Sequence, residues 1–203
     1  MKYALIALIY ILIGCNSTGY YQQIEECRLA FKLDKKIFFE NMANGGEPIH
    51  LRADYNCLLG LKIPEFTINT IQNKKINFEY FKNKITVLNF WFTACRPCII
   101  EIPEFNRVQA ALGQEKINYL AVCLDNKTEI DRILDKNPWG FDHVANGKSL
   151  YREVFSLFHG YPLTLVINED GLIIDAFGRS DDLEKRLLKT LSVSLLTSKK
   201  NTL

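Results

Sequence analysis

Histidine is scarce in this 203-residue chain: His50, His143 and His159 are the only three, and they are widely scattered. A histidine-rich metal centre is therefore excluded. Net charge is also small. Lys and Arg number 25 against 23 Asp and Glu, leaving +2, and no basic stripe interleaved with aromatics is present. That composition argues against a nucleic-acid partner. Long apolar runs are missing too. The N-terminal run from Ala4 to Ile13 falls well short of the about 20 residues that a membrane-spanning helix needs. There is no internal repeat and no low-complexity segment. What stands out against this background is six cysteines, two of them separated by only two residues.

Those two end the stretch Val87-Leu88-Asn89-Phe90-Trp91-Phe92-Thr93-Ala94-Cys95-Arg96-Pro97-Cys98. Its apolar, strand-forming residues predict a buried strand over Ile85–Trp91, followed by a helix from Cys95 to about Leu112. A thiol at a helix N-terminus faces unpaired backbone N–H groups and the positive end of the helix dipole. Both stabilise the thiolate, the reactive form of sulfur. Cys98 lies one turn further on, within reach of a disulfide to Cys95. Structural zinc ordinarily takes four Cys or His ligands, often as a second close pair, and no second C-x-x-C exists here. The pair therefore reads as a thiol–disulfide redox site, with no metal and no cofactor beyond its own disulfide.

The N-terminus, Met1-Lys2-Tyr3 followed by a short apolar core, has the pattern of an export signal. Its ending, Leu12-Ile13-Gly14-Cys15, resembles the lipobox of bacterial lipoproteins. That resemblance implies a signal peptide over 1–14, cleavage before Cys15, acylation of the Cys15 thiol and attachment to a membrane. Outside the cytoplasm disulfides persist, so Cys27 and Cys57 become a candidate structural pair. Cys123, inside an apolar run, reads as a buried strand cysteine.

Residues 15–60 are expected to form a tether and a small N-terminal extension, 61–197 the main domain, and 198–203 a flexible tail. Within the domain the pattern predicts strands at Phe66–Ile71, Ile76–Phe78 and Ile117–Leu124, and a helix over Lys127–Lys136 capped by Asn126 or Asp125. A further helix is predicted over Lys148–Phe158, with Leu150, Val154, Leu157 and Phe158 on one face. A hairpin of Leu163–Asn168 and Leu172–Phe177 turns at Glu169-Asp170-Gly171, and Asp181 or Asp182 starts a last helix to about Leu196. Strand–helix–strand followed by hairpin and helix makes an α/β domain, a mixed central sheet with helices on both faces. With C-x-x-C after the first central strand, this order resembles the thioredoxin-like fold.

The resemblance narrows to exported, membrane-tethered thiol–disulfide oxidoreductases of the TlpA/ResA type, over roughly residues 60–190. It is carried by Leu59-Gly60-Leu61-Lys62-Ile63-Pro64-Glu65-Phe66, Leu88-Asn89-Phe90-Trp91 before Cys95-Arg96-Pro97-Cys98, Glu101-Ile102-Pro103, and Gly160-Tyr161-Pro162-Leu163-Thr164. It implies Cys95 as nucleophile and Cys98 as resolving thiol. It also implies a cis peptide bond before Pro162, with Tyr161 offering its backbone to an extended substrate. Asn89 stands where thioredoxins carry a buried Asp, so Glu101 becomes the candidate for proton transfer to or from Cys98. Trp91, Arg96 and Pro97 are the expected neighbours of a substrate. Ala94 replaces a bulky residue common in relatives and suggests a more open Cys95.

Implied partners are thiols or disulfides of exported proteins and a membrane thiol reductase as electron donor, at the periplasmic side of a bacterial envelope. Relatives often serve cytochrome c maturation. Two other readings compete with this one. A copper- or metal-binding module would use the two thiols for soft Cu(I), but copper-handling relatives usually show C-x-x-x-C. A thiol peroxidase would resemble P-x-x-x-[ST]-x-x-C, and Leu88 and Phe92 occupy the Pro and Thr places relative to Cys95.

Overall fold

A computed structural model describes residues 17–46 and 54–200. Cys15, the signal segment and residues 201–203 lie outside the described residues. The chain opens with a long helix, α1 (Ser17–Ala43), and after the undescribed stretch a 3-10 turn at Asn56–Leu58. A small antiparallel ribbon follows, β1 (Ile68–Asn69) with β2 (Lys75–Ile76), then a one-turn helix α2 (Phe78–Phe81). The main unit comprises β3 (Ile85–Trp91), α3 (Arg96–Leu112), β4 (Ile117–Cys123), α4 (Lys127–Leu134) and β5 (Asp142–Val144). It ends with β6 (Leu163–Ile167), β7 (Ile173–Phe177) and α5 (Leu183–Lys200).

Five strands form one sheet in the order β5-β4-β3-β6-β7. β3 is central and runs parallel to β4 and antiparallel to β6. All seven residues of β3 are buried, as expected for a strand covered on both faces. Side chains alternate between two apolar clusters. Val87 and Trp91 join Tyr119, Ala121 and Val166 beneath Ile102, Phe105 and Val108 of α3 and Leu183, Leu187 and Leu191 of α5. Leu88 and Phe90 point the other way, to Leu120, Val122, Leu163 and Leu165. This is the thioredoxin-like arrangement, a mixed sheet with helices on both faces.

The second face is covered differently from the sequence expectation. In place of the helix over Lys148–Phe158 there is a single wide π turn, Leu150–Val154, with Phe155 N–H donating to the Leu150 carbonyl at 2.9 Å. The wide turn lets Tyr151 and Phe155 both meet the Phe90 ring, at 5.2 and 5.5 Å. Ser156, at φ 49°, and Gly160, at φ 87°, then reverse the chain. The left-handed region favours glycine, so Gly160 suits its place just before Tyr161.

The expected tether is largely α1, and its first half belongs to the core. Tyr20 and Ile24 are only 2% and 1% exposed. The Tyr20 hydroxyl donates to the Phe155 carbonyl at 2.8 Å, the Tyr21 hydroxyl to that of Val154 at 2.9 Å, and Arg28 to that of Ser156 at 2.7 Å. Phe31 makes a further ring contact with Phe158 at 5.7 Å, whereas Leu29, Leu33 and Phe39 are exposed. At the other end α5 continues to Lys200, past the expected boundary at 197. Because Ile24 is 1% exposed within the apolar cluster on that face, Ile24→Ala should cost about 2–4 kcal/mol of stability. Urea unfolding monitored by circular dichroism measures that loss.

Candidate active site at the end of the central strand

Antiparallel pairing of β3 with β6 fixes the site. Asn89 lies opposite Thr164 and Phe90 opposite Leu163. Continuing that register places Pro162 opposite Trp91 and Tyr161 opposite Phe92. The Phe92 and Tyr161 rings do meet edge to face, with centroids 5.5 Å apart. The Tyr161–Pro162 peptide bond is cis. Residues separated by seventy positions are thus brought to one end of the sheet, where the chain leaves β3 towards the two cysteines.

The exit loop is held by an acid that the sequence analysis treated only as a possible helix cap. Asp125, just beyond β4, accepts from both the backbone N–H and the hydroxyl of Thr93, each at 2.6 Å. Cys95 N–H then donates to the Phe92 carbonyl at 3.0 Å, closing a tight turn. Cys95 occupies the N-cap of α3, and its sulfur accepts from Cys98 N–H at 3.3 Å. Pro97 sits in the first turn, where a missing N–H costs little.

Cys95 and Cys98 are joined in a disulfide, with Cα atoms 5.3 Å apart. Both sulfur residues are buried, at 3% and 1% exposure. Ala94 is exposed but does not leave Cys95 open, because Phe92 and Tyr161 pack against the same apolar cluster as the two cysteines. Arg96 is exposed and Pro97 half-buried, both at the mouth of the site. Trp91 is fully buried against Trp139, at 5.3 Å between ring centroids. Its expected place beside a substrate is corrected: it belongs to the core beneath the site, because the strand that carries it is covered on both faces.

Glu101, one turn beyond Cys98, is 3% exposed. One carboxylate oxygen accepts from Ser180 N–H at 3.1 Å; the other is buried with no hydrogen-bond partner. Burial raises its pKa from the ordinary 4.5 to about 7, with the Ser180 bond opposing, Glu104 adding to the rise and Arg179 lowering it. A carboxyl tuned to near neutral pH can both take and give a proton. Asn89 cannot: its amide donates to the Thr164 hydroxyl at 3.0 Å, deep in the sheet.

A buried disulfide at a helix N-terminus, a facing cis-proline and a carboxyl with near-neutral pKa define a thioredoxin-fold thiol–disulfide oxidoreductase. Comparison with known proteins agrees. Residues 59–176 match the AhpC/TSA family model. The thioredoxin-like protein YneN of Bacillus subtilis is 28% identical over 123 residues, covering 57% of this chain and 69% of that protein. The thiol-disulfide oxidoreductase ResA of Bacillus thuringiensis is 33% identical over 121 residues, covering 57% and 67%. Among solved structures, the thioredoxin domain of a thiol-disulfide oxidoreductase from Bacteroides vulgatus superposes with a TM-score of 0.58 at 20% identity, over 65% of this chain and 96% of that one. A thiol:disulfide interchange protein from Bacteroides sp. gives 0.56 at 20%, over 64% and 88%. The chain belongs to the AhpC/TSA family and is a thiol–disulfide oxidoreductase of the ResA type.

The buried carboxyl has a thermodynamic consequence. A carboxyl whose pKa is higher folded than unfolded binds more protons when folded, so its contribution to stability falls as pH rises from about 4.5 through about 7. Glu101→Gln removes that slope. The difference in unfolding free energy between E101Q and the parent should shift in favour of E101Q by about 2–3 kcal/mol between pH 4.5 and pH 8. Paired urea titrations across that range check it.

Proposed function

We propose that this protein is an exported, lipid-anchored reductase of disulfides in other envelope proteins, working through the Cys95–Cys98 pair. The observation that carries the reading is the Cys95–Cys98 disulfide facing cis-Pro162 with Glu101 one turn behind. The Cys95 thiolate attacks one sulfur of a client disulfide, and the client's other sulfur leaves as a thiolate. Cys98 gives its proton to the Glu101 carboxylate and attacks the Cys95 sulfur, restoring the Cys95–Cys98 disulfide and expelling the second client thiolate; the two client thiolates take up one proton from Glu101 and one from water to give the client dithiol. Two electrons pass from this protein to the client. A membrane thiol reductase then returns two electrons to the pair.

The electrostatics support the reducing direction. A strongly oxidising pair needs its reduced form held by a deeply depressed thiolate pKa. Here Cys95 receives one N–H, and a carboxyl that ionises near pH 7 sits one turn behind Cys98. Tyr161 and Pro162 would receive an extended client strand, with Arg96 and Pro97 at its edge. A client with two closely spaced haem-binding thiols, as in cytochrome c maturation, is one envelope protein that such a reductase would serve.

Among the described residues no helix is long and apolar enough to cross a membrane. The proposed anchor is the acylated Cys15, only a few residues before Tyr20 meets the body. Reading Cys15 as lipidated predicts incorporation of labelled palmitate that Cys15→Ser abolishes, with release of the protein from membranes.

For the exchange itself, reduced protein is mixed with a peptide containing a C-x-x-C disulfide. Cys95→Ser should reduce none of it. Cys98→Ser should accumulate a peptide linked to Cys95 that a thiol reductant releases. A linked peptide at Cys98 in the C95S protein, at the parent rate, would reverse the assigned roles.

A further inference from the structure

Cys27 and Cys57 are far apart in the chain but meet across the contact between α1 and the 3-10 turn. Gln23 and Cys27 lie one turn apart on the same face of α1. The Gln23 side-chain amide donates to the Cys57 carbonyl at 2.9 Å, drawing the turn up against that face. Both thiols are free, and Cys27 lies close enough to Cys57 to influence its ionisation. Each is half-buried, so a small reagent can reach them. The Cys57 thiol also donates to the Asp54 carbonyl at 3.0 Å and lies 3.8 Å from Nε2 of His159, three residues before Pro162. Both cysteines precede residue 59, where the family match begins.

We infer that Cys27 and Cys57 are a second disulfide-forming site, separate from Cys95–Cys98, which clasps α1 to the 3-10 turn that lies against His159, three residues before the cis-proline. One thiolate attacks a sulfur of a disulfide oxidant, whose other sulfur leaves and takes up a proton. The second thiol loses its proton and displaces the remaining half. Two electrons and two protons leave the pair, and the oxidant ends as two thiols. The oxidant is a small-molecule disulfide of the glutathione type or the oxidised Cys95–Cys98 pair of another copy.

Burial, with the neighbouring thiol, raises the Cys57 pKa. A thiol with few thiolates at neutral pH attacks slowly and, once in a disulfide, also leaves slowly. The bond therefore forms gradually and persists, unlike the exchanging pair at the active site. Its placement gives it a role. Arg28, next to Cys27, bonds Ser156 through the carbonyl and hydroxyl at 2.7 and 2.9 Å. Arg28 also lines, with Tyr151, Phe158 and Tyr161, an open cavity of about 400 Å³ beside the cis-proline. Closing the clasp fixes the α1 wall of that cavity.

The test uses the full chain with Cys15, Cys95 and Cys98 replaced by Ser, so the outcome is independent of the proposed function. The protein is equilibrated with oxidised glutathione, alkylated, digested and read by mass spectrometry. The expected result is one Cys27–Cys57 linked peptide within a single chain, loss of two alkylatable thiols, and a Tm roughly 5–10 °C above the reduced form. Adding Cys57→Ser should leave Cys27 as a mixed disulfide with glutathione. Should the triple variant fold poorly, the same peptide map of the unaltered protein answers the question, because Cys95–Cys98 yields its own peptide. Full alkylation of both thiols after oxidation would overturn the inference. So would a linkage between chains, or protection that arises only with added zinc ion and without loss of hydrogens.

Discussion

The antiparallel register between β3 and β6 is the constraint on which the site depends. It sets Asn89 against Thr164 and, two steps further, brings cis-Pro162 and Tyr161 level with the loop that delivers Cys95. A slip of one residue would turn every side chain of β6 to the opposite face. Leu163 and Leu165 would leave one apolar cluster and Val166 the other. The packing of both layers thus enforces the same alignment that the chemistry needs.

Electrostatics at the site are divided between two neighbours of the disulfide. The helix N-terminus and the Cys98 N–H favour charge on Cys95. Buried Glu101, poised near neutral pH by its burial, is the group that the proposed reaction uses to take the proton of Cys98. Asp125 serves neither sulfur directly; by holding Thr93 it keeps the turn to Cys95 closed. It is a positioning residue.

Much of the fold was legible because its signals are local. The run from Ile85 to Trp91 is short, mostly apolar and rich in β-branched and aromatic residues, and it forms a buried strand. Gly113 ends α3 where expected, and Asn126 with Glu129 forms a full capping box on α4. The pairing of Cys95 with Cys98 was readable from spacing, and the cis bond before Pro162 from resemblance. What escaped depends on distant partners. Trp91 could not be told from a substrate contact until the covering of its strand by Trp139 was known. The π turn follows from two aromatic rings competing for Phe90, which periodicity does not record. The buried apolar part of the α1 docking is Tyr20 and Ile24, too short a stripe to stand out in a 27-residue helix rich in polar residues. Asp125 had no local signal, since its partner Thr93 lies on the neighbouring strand's exit.

The most direct measurement is the reduction potential of the Cys95–Cys98 pair, by equilibration in thiol buffers and trapping with an alkylating agent, using protein in which Cys15, Cys27 and Cys57 are replaced. A reversible two-electron transition near about −250 mV or below is the predicted result for a reductase. A value near about −120 to −180 mV, or no reversible transition, would contradict the account.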